Sequence, residues 1–100
     1  MVKEISQNEF EESINKEGLV LVDCYAPWCG PCRMLSPIID ELANEVNTCS
    51  FYKINIDEAD EIVNKYGIMS IPTILIFENG SLKQKEVGFK SKGQLLDILK

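Results

Sequence analysis

The spacing of hydrophobic and polar positions changes several times along the chain, and each change predicts a new structural element. Residues 2–5 predict a short strand, and the Ser-x-x-Glu pattern of residues 6–9 predicts the start of a capped helix. Phe10 and Ile14 lie on one face of that helix, and we expect it to stop near Gly18.

The next segments predict a central strand, a helix, a further strand and a third helix. Residues 19–25 are apolar on both faces except at Asp23, which is typical of a buried central strand. A helix should begin at Cys32 or just before it and should be kinked by Pro37; its apolar positions recur at helical spacing at Leu35, Ile38, Ile39, Leu42 and Val46. Residues 50–56 predict a strand, and a third helix should end at Gly67 after presenting Ala59, Ile62, Val63 and Tyr66.

The last third of the chain predicts a hairpin and a final helix. Residues 73–77 are β-branched and aromatic, Asn79-Gly80 is a strong hairpin signal, and residues 81–87 return as an antiparallel edge strand. Ser91, with Gln94 three residues later, should open the last helix. The order βαβαβαββα predicts an α/β fold in one domain, residues 1–100, with a central mixed sheet of about five strands flanked by about four helices.

The charge and the apolar runs of the chain indicate which partners and which cellular compartment to expect. The chain has 10 basic and 16 acidic residues and a formal net charge of -6, which disfavours nucleic acid and anionic membranes as partners. We find neither the apolar core of a secretory signal nor a run approaching the ~20 apolar residues that span a bilayer, so we expect a cytoplasmic protein. The chain has four cysteines and no histidine, so the cysteines are the candidate catalytic or metal-binding residues.

Two cysteines lie where the central strand passes into the second helix. Amide hydrogens left unpaired at a helix start stabilise a thiolate, so Cys29 is the candidate nucleophile. Gly30 should let the chain turn without steric cost, and Pro31 suits the first positions of a helix. Cys32, one turn further in and less exposed, should be the resolving thiol that displaces the substrate from Cys29.

The sequence Trp-Cys-Gly-Pro-Cys at 28–32, Asp23 six residues before Cys29, and Gly-Ile-Met-Ser-Ile-Pro-Thr at 67–73 together resemble the thioredoxin family. The resemblance runs from about Ile5 to the C-terminus. It implies the thioredoxin fold and a general protein-disulfide reductase that carries electrons through a reversible dithiol and a mixed-disulfide intermediate. No bound cofactor is implied beyond the Cys29/Cys32 disulfide.

The same resemblance implies the partners of the protein. They are oxidised client proteins and a thioredoxin reductase, an NADPH-dependent flavoprotein, although a ferredoxin-linked reductase is an alternative that the sequence leaves open. A monomer is expected.

Asp23 is an ionisable residue in a strand that is otherwise apolar on both faces. A buried carboxylate costs several kcal/mol unless it is neutralised or paired. One interpretation is a purely structural acid satisfied by Lys53 or by water. The family resemblance favours another, in which Asp23, with a raised pKa and with Lys53 as its partner, takes and returns the proton of Cys32.

Pro72 precedes an apolar strand, and base rates for X-Pro bonds favour a trans strand-initiating proline. The resemblance implies instead a cis bond that holds the backbone of Ile71 beside the dithiol, where an extended substrate can pair with it. It also implies an apolar substrate-binding patch around the sulfurs, formed by Trp28, Gly30, Pro31, Gly67, Ile71, Pro72 and Gly88. Ile56 belongs either to this patch or to the core.

Cys24 and Cys49 depart from the family pattern, as does Tyr25, because an aromatic residue usually stands at position 24 and a tryptophan at position 25. At about 3.3 Å per residue along parallel strands, Cys24 and Cys49 should lie more than ~10 Å apart, too far for a disulfide. We expect inert buried thiols, with regulatory oxidation of Cys49 as the alternative.

Three rival functions compete with a disulfide reductase. A zinc site could use the four cysteines, but two of them lie within predicted elements. A non-catalytic binding module often lacks one of the sulfurs, the Asp or the Pro, whereas this chain has all of them. A dithiol oxidant or isomerase commonly has histidine between its cysteines, whereas Gly-Pro fits a reductant.

Overall fold

The computed structural model describes residues 1–100, which form a five-stranded mixed sheet. Its strand order is β1-β3-β2-β4-β5. β1 and β2 run parallel to β3, while β4 is antiparallel to both β2 and β5. The strands are β1 (Val2–Glu4), β2 (Leu19–Tyr25), β3 (Cys49–Asn55), β4 (Thr73–Glu78) and β5 (Ser81–Val87).

Four α-helices connect or follow the strands. They are α1 (Phe10–Ile14), α2 (Gly30–Glu45), α3 (Asp60–Tyr66) and α4 (Lys92–Ile98). Single 3-10 turns precede α1 and α3, at Gln7–Glu9 and Ile56–Glu58. This arrangement confirms the predicted order βαβαβαββα. None of the helices combines the length and the apolar character that crossing a membrane requires.

The first helix is shorter than the sequence predicts. α1 ends at Ile14 rather than near Gly18. Gly18, at φ 82°, instead meets the β4–β5 hairpin: its N–H donates to the side-chain oxygen of Asn79 at 2.8 Å, and its carbonyl accepts from the N–H of Asn79 at 3.0 Å. The hairpin therefore holds residues 15–18 as a loop, a long-range contact that local sequence does not reveal.

The sheet separates two apolar layers, and the alternation of β2 decides which layer each of its side chains joins. Val20, Val22 and Cys24 pack with Phe10 and other residues on one face. Leu21 packs on the opposite face with α2 and α4 residues, among them Leu35, Ile39, Leu42 and Leu95. Because alternate strand residues share a face, Asp23 points to the same side as Leu21, towards the helix that carries Cys32.

The final helix supplies a test of local folding. The Ser91 hydroxyl accepts from the N–H of Gln94 at 3.2 Å, and the Gln94 side-chain oxygen accepts from the N–H of Ser91 at 2.9 Å, which confirms the predicted cap. We expect Ser91→Ala to lower the free energy of unfolding by about 1 kcal/mol, measured by urea denaturation. Ser81→Ala, an exposed serine on β5, should change it little; equal losses in both variants would contradict the role of the cap.

Candidate active site

Cys29 and Cys32 form a disulfide at the junction between β2 and α2, with their Cα atoms 5.3 Å apart. Cys29 is the N-cap of α2, and its sulfur accepts a hydrogen bond from the N–H of Cys32 at 3.2 Å. The helix thus begins at Gly30, immediately after Cys29. A main-chain donor and the positive end of the helix dipole both act on the Cys29 sulfur, and both favour negative charge there.

The two residues between the sulfurs differ from expectation in one respect. Pro31 occupies the second position of the helix, as predicted. Gly30, expected to let the chain turn without steric cost, is an ordinary helical residue and is not among the glycines with positive φ, so the turn does not use a conformation that only glycine favours. A Cβ at Gly30 would meet no atom within 4 Å. The fold itself therefore does not require glycine at this position.

The two sulfur-bearing residues are almost equally buried in the disulfide form. Cys29 is 5% exposed and Cys32 is 3% exposed, so the predicted contrast in exposure is small. Cys29 packs against Ala26 and half-buried neighbours from other segments, and its sulfur lies 3.8 Å from the carbonyl oxygen of Ile71. The peptide bond between Ile71 and Pro72 is cis, as the resemblance implies.

Asp23 lines a cavity together with Cys32; it is 3% exposed, and its Oδ1 has no hydrogen-bond partner. Burial raises the pKa of Asp23 to about 7, which the nearby charge of Lys53 partly opposes and that of Asp40 reinforces. Lys53 is the cross-strand neighbour of Asp23 in the β2–β3 register. A cavity of about 120 Å³ joins these groups and is lined by Asp23, Tyr25, Ala26, Pro27, Cys32, Arg33, Ser36 and Lys53.

An apolar groove lies on the other side of the dithiol. It is lined by Trp28, Ile56, Ile68, Met69, Ser70 and Ile71. Trp28 is 67% exposed, and its indole N–H donates to the carboxylate of Asp57 at 2.9 Å. Ile56 is half-buried and contacts both the groove and the core around Cys29, so its two predicted environments coexist.

Five residues predicted for the substrate patch lie outside the lining of this groove: Gly30, Pro31, Gly67, Pro72 and Gly88. Gly67 ends α3 in the left-handed conformation at φ 60°, and its carbonyl accepts from the Lys85 ammonium at 3.3 Å. Gly88 donates its N–H to the carbonyl of Pro72 at 2.8 Å, which places it next to the cis bond. Gly67 and Gly88 therefore act through their main chains, Gly67 at the end of α3 and Gly88 beside Pro72.

Two residues join the site that sequence reasoning missed. Asp57 follows the carboxyl end of β3, and Met69, 96% exposed, lines the groove. The position of Asp57 was foreseeable, because the carboxyl ends of the parallel strands β2 and β3 share one edge of the sheet. Met69 had no such signal beyond standing two residues before Ile71.

The remaining cysteines lie away from the disulfide. Cys24 pairs in register with Ile54, whereas Cys49 pairs with Leu19, so the two are separated along the sheet and both are free thiols. Burial raises the pKa of Cys49 to about 11 and raises that of Cys24 further. No group of three or more Cys, Asp or Glu side chains lies close enough to hold a metal ion, and the zinc alternative therefore lacks a ligand set.

Comparison with known proteins agrees with the geometry. The family model described as thioredoxin matches residues 1–100. The chain is 46% identical over 99 residues to a thioredoxin of Rickettsia bellii, covering 97% of this chain and 94% of the relative. It is 45% identical over 84 residues to a thioredoxin of Bacillus subtilis, covering 83% and 81% of the two chains.

A solved structure extends the agreement to three dimensions. A mutant thioredoxin from Halobacterium salinarum superposes with a TM-score of 0.92 at 31% identity, covering 98% of this chain and 87% of that one. The five-stranded sheet, the disulfide at the start of α2 and these similarities lead to one conclusion. The chain belongs to the thioredoxin family, and it is a thiol-disulfide oxidoreductase whose redox centre is the Cys29–Cys32 disulfide.

Proposed function

We propose that the chain is a general reductant of protein disulfides, with Cys29 as nucleophile and Cys32 as resolving thiol. The observation that supports these roles is the placement of the Cys29 sulfur as the N-cap of α2, where the N–H of Cys32 donates to it. In the reduced protein the same donor and the helix dipole favour a thiolate, the form of cysteine that attacks disulfides.

The proposed reaction transfers two electrons in two exchanges. The Cys29 thiolate attacks one sulfur of the client disulfide, and the other client sulfur leaves as a thiolate. Cys32 then loses its proton and attacks the Cys29 sulfur. The Cys29–Cys32 bond forms, the mixed disulfide breaks, and the second client sulfur departs and is protonated. One client disulfide becomes two thiols, and one dithiol becomes a disulfide.

The proton of Cys32 is proposed to pass to Asp23. Both residues line the 120 Å³ cavity, which is large enough to hold water and has the charged side chains Asp23, Arg33 and Lys53 in its wall. A carboxyl with a pKa of about 7 is a matched base near neutral pH, and Lys53 from the adjacent strand stabilises its charged form. This proposed role explains why an ionisable residue stands at a buried position of β2 despite the free-energy cost of burial.

Client binding is proposed to use the apolar groove and the backbone beside it. The Ile71 carbonyl lies 3.8 Å from the Cys29 sulfur and is positioned to pair with an extended client segment. Trp28, held by Asp57, supplies an exposed apolar wall. The open space over Gly30 leaves room for a client backbone close to the sulfurs.

A selective alkylation experiment tests the assignment of the two sulfurs. When the reduced protein receives less than one equivalent of iodoacetamide at neutral pH, we expect Cys29 to be modified in preference to Cys32, because Cys29 carries the thiolate. Peptide mass spectrometry locates the adduct. Preferential modification of Cys32 would reverse the roles, and failure of the intact protein to reduce insulin would favour a binding module instead.

The remaining proposals concern context. We propose electron transport from a thioredoxin reductase, an NADPH-dependent flavoprotein, to oxidised client proteins in the cytoplasm. Membership of the family supports a reductase and clients in general. One domain is proposed because a single sheet includes strands from residue 2 to residue 87. The expected monomer is likewise a proposal.

A further inference from the structure

Tyr25 lies at the end of β2 and contacts charged residues from two other strands. Its hydroxyl donates to a carboxylate oxygen of Glu4 on β1. Its ring lies under the ammonium of Lys53 on β3, which is 5.8 Å from the ring centroid and within the range of a cation–π contact. Tyr25 therefore contacts Lys53, which is the neighbour of Asp23 in register, and Glu4, which lies one strand further away.

Lys53 has an acid on each side in the sheet. The β1–β3 register pairs it with Glu4, and the β2–β3 register pairs it with Asp23. No ion pair within 4.0 Å involves Lys53, so neither acid holds it in the structure. Two carboxyl groups thus compete for one ammonium.

The exposed acid has the advantage in this competition. Asp23 is largely protonated below about pH 7 and then offers little attraction to a cation. Glu4 is exposed at the edge strand and is next to Lys53 in register. A free Glu4 carboxylate would draw the ammonium towards β1 and away from the cavity.

We propose that Tyr25 is a positioning residue of the dithiol reaction. Its hydroxyl donates a hydrogen bond to the Glu4 carboxylate, and Lys53 is thereby left free to interact with Asp23. The inference rests on the proposed role of Asp23 as the proton acceptor of Cys32. Burial, and after it the hydrogen bond to Glu4, raises the pKa of Tyr25, so the donor stays protonated at neutral pH.

Other groups near Asp23 do not duplicate this arrangement. The helix α2 contributes Asp40, whose charge raises the pKa of Asp23, and places Arg33 and Cys32 in the cavity wall. On β4 the neighbour of Asp23 in register is the apolar Ile74. Glu58, after β3, acts electrostatically on Tyr25. Lys53 is consequently the cation whose position Tyr25 can control.

The test is a titration of the Asp23 carboxyl carbon by NMR in the disulfide form, in which neither Cys29 nor Cys32 carries a titrating thiol. Tyr25→Phe keeps the ring and removes the hydroxyl. It should raise the Asp23 midpoint by about half to one pH unit, because the released Glu4 carboxylate takes Lys53 away from Asp23. Glu4→Gln should lower the Asp23 midpoint. This second variant keeps the test decisive even if Tyr25→Phe folds poorly.

The double variant isolates the link. Tyr25→Phe combined with Glu4→Gln should titrate like Glu4→Gln alone, since no competing carboxylate remains. Tyr66→Phe removes a tyrosine hydroxyl beside Lys65, on the opposite face of the sheet, and should match the wild type. An unchanged midpoint in Tyr25→Phe, or an equal rise in the Glu4→Gln background, would overturn the inference.

Activity separates this inference from the function on which it rests. In Tyr25→Phe, the pH profile of insulin reduction should shift to higher pH by the same amount as the NMR midpoint of Asp23. A profile that does not respond to Asp23→Asn would refute the proton role of Asp23. The NMR midpoints would still decide whether Tyr25 steers Lys53.

Discussion

Replacing Cys29 with serine is expected to abolish disulfide reduction. A serine hydroxyl cannot form the mixed disulfide through which the reaction proceeds. It is also hardly ionised at neutral pH, so the start of α2 has no anion to stabilise. The rate should fall to the uncatalysed background, a loss of roughly 1000-fold or more. The measurement is insulin reduction followed with NADPH and a thioredoxin reductase.

Two further variants make this result specific to the roles of the sulfurs. Cys32→Ser should also lose turnover, but it should accumulate a covalent mixed disulfide between Cys29 and the client, visible on a non-reducing gel. Cys49→Ser, a free half-buried cysteine, is the matched control and should retain activity. Turnover by Cys29→Ser near the wild-type rate, or a mixed disulfide formed through Cys32, would contradict the proposed mechanism.

The features that the sequence reveals are those set by local pattern and by the sheet rules. The alternation around Asp23 placed it in a buried strand, and the strand-to-helix junction placed Cys29 at a helix start; the structure confirms both. The caps at Gly67 and Ser91 follow from the same kind of short-range pattern. The cis bond before Pro72 came from family resemblance alone.

The features that the sequence does not reveal depend on contacts between distant segments. Trp28 and Asp57 are 29 residues apart; the sheet rules place both at one edge, but the hydrogen bond between the two side chains is a contact that no local pattern specifies. The bond between Tyr25 and Glu4 spans two strands that are not neighbours. Gly30 illustrates a different case, since the glycine expected to ease the turn lies at the first position of an ordinary helix.

Replacing Asp23 with asparagine is expected to stabilise the protein at alkaline pH. Burial raises the pKa of Asp23 from 3.8 to about 7 in the folded state. The folded protein therefore binds more protons than the unfolded chain between these values, and stability falls as pH rises through them. The stability contributed by neutral Asp23 is fully present below pH 3.8 and is lost above about pH 7, a difference of about 4 kcal/mol.

The asparagine side chain of this variant cannot ionise, so the difference between variant and wild type has a predicted pH dependence. In urea denaturation of the disulfide form, the gain in free energy of unfolding for Asp23→Asn should be near zero at about pH 4 and approach its full value by about pH 8. Glu17→Gln, which removes an exposed carboxylate, should show no comparable trend. A constant difference across this range would show that burial does not perturb Asp23.

The same substitution should slow the reaction even as it stabilises the fold. Without the carboxylate, the proton of Cys32 has no base across the cavity, and loss of a general base typically costs ~100-fold or more. The loss should fall on resolution of the mixed disulfide rather than on attack by Cys29, because that sulfur is activated by α2. Stopped-flow measurement of both steps decides the matter: equal slowing of both would indicate a general disturbance of the site, whereas slow resolution alone ties the buried charge to catalysis.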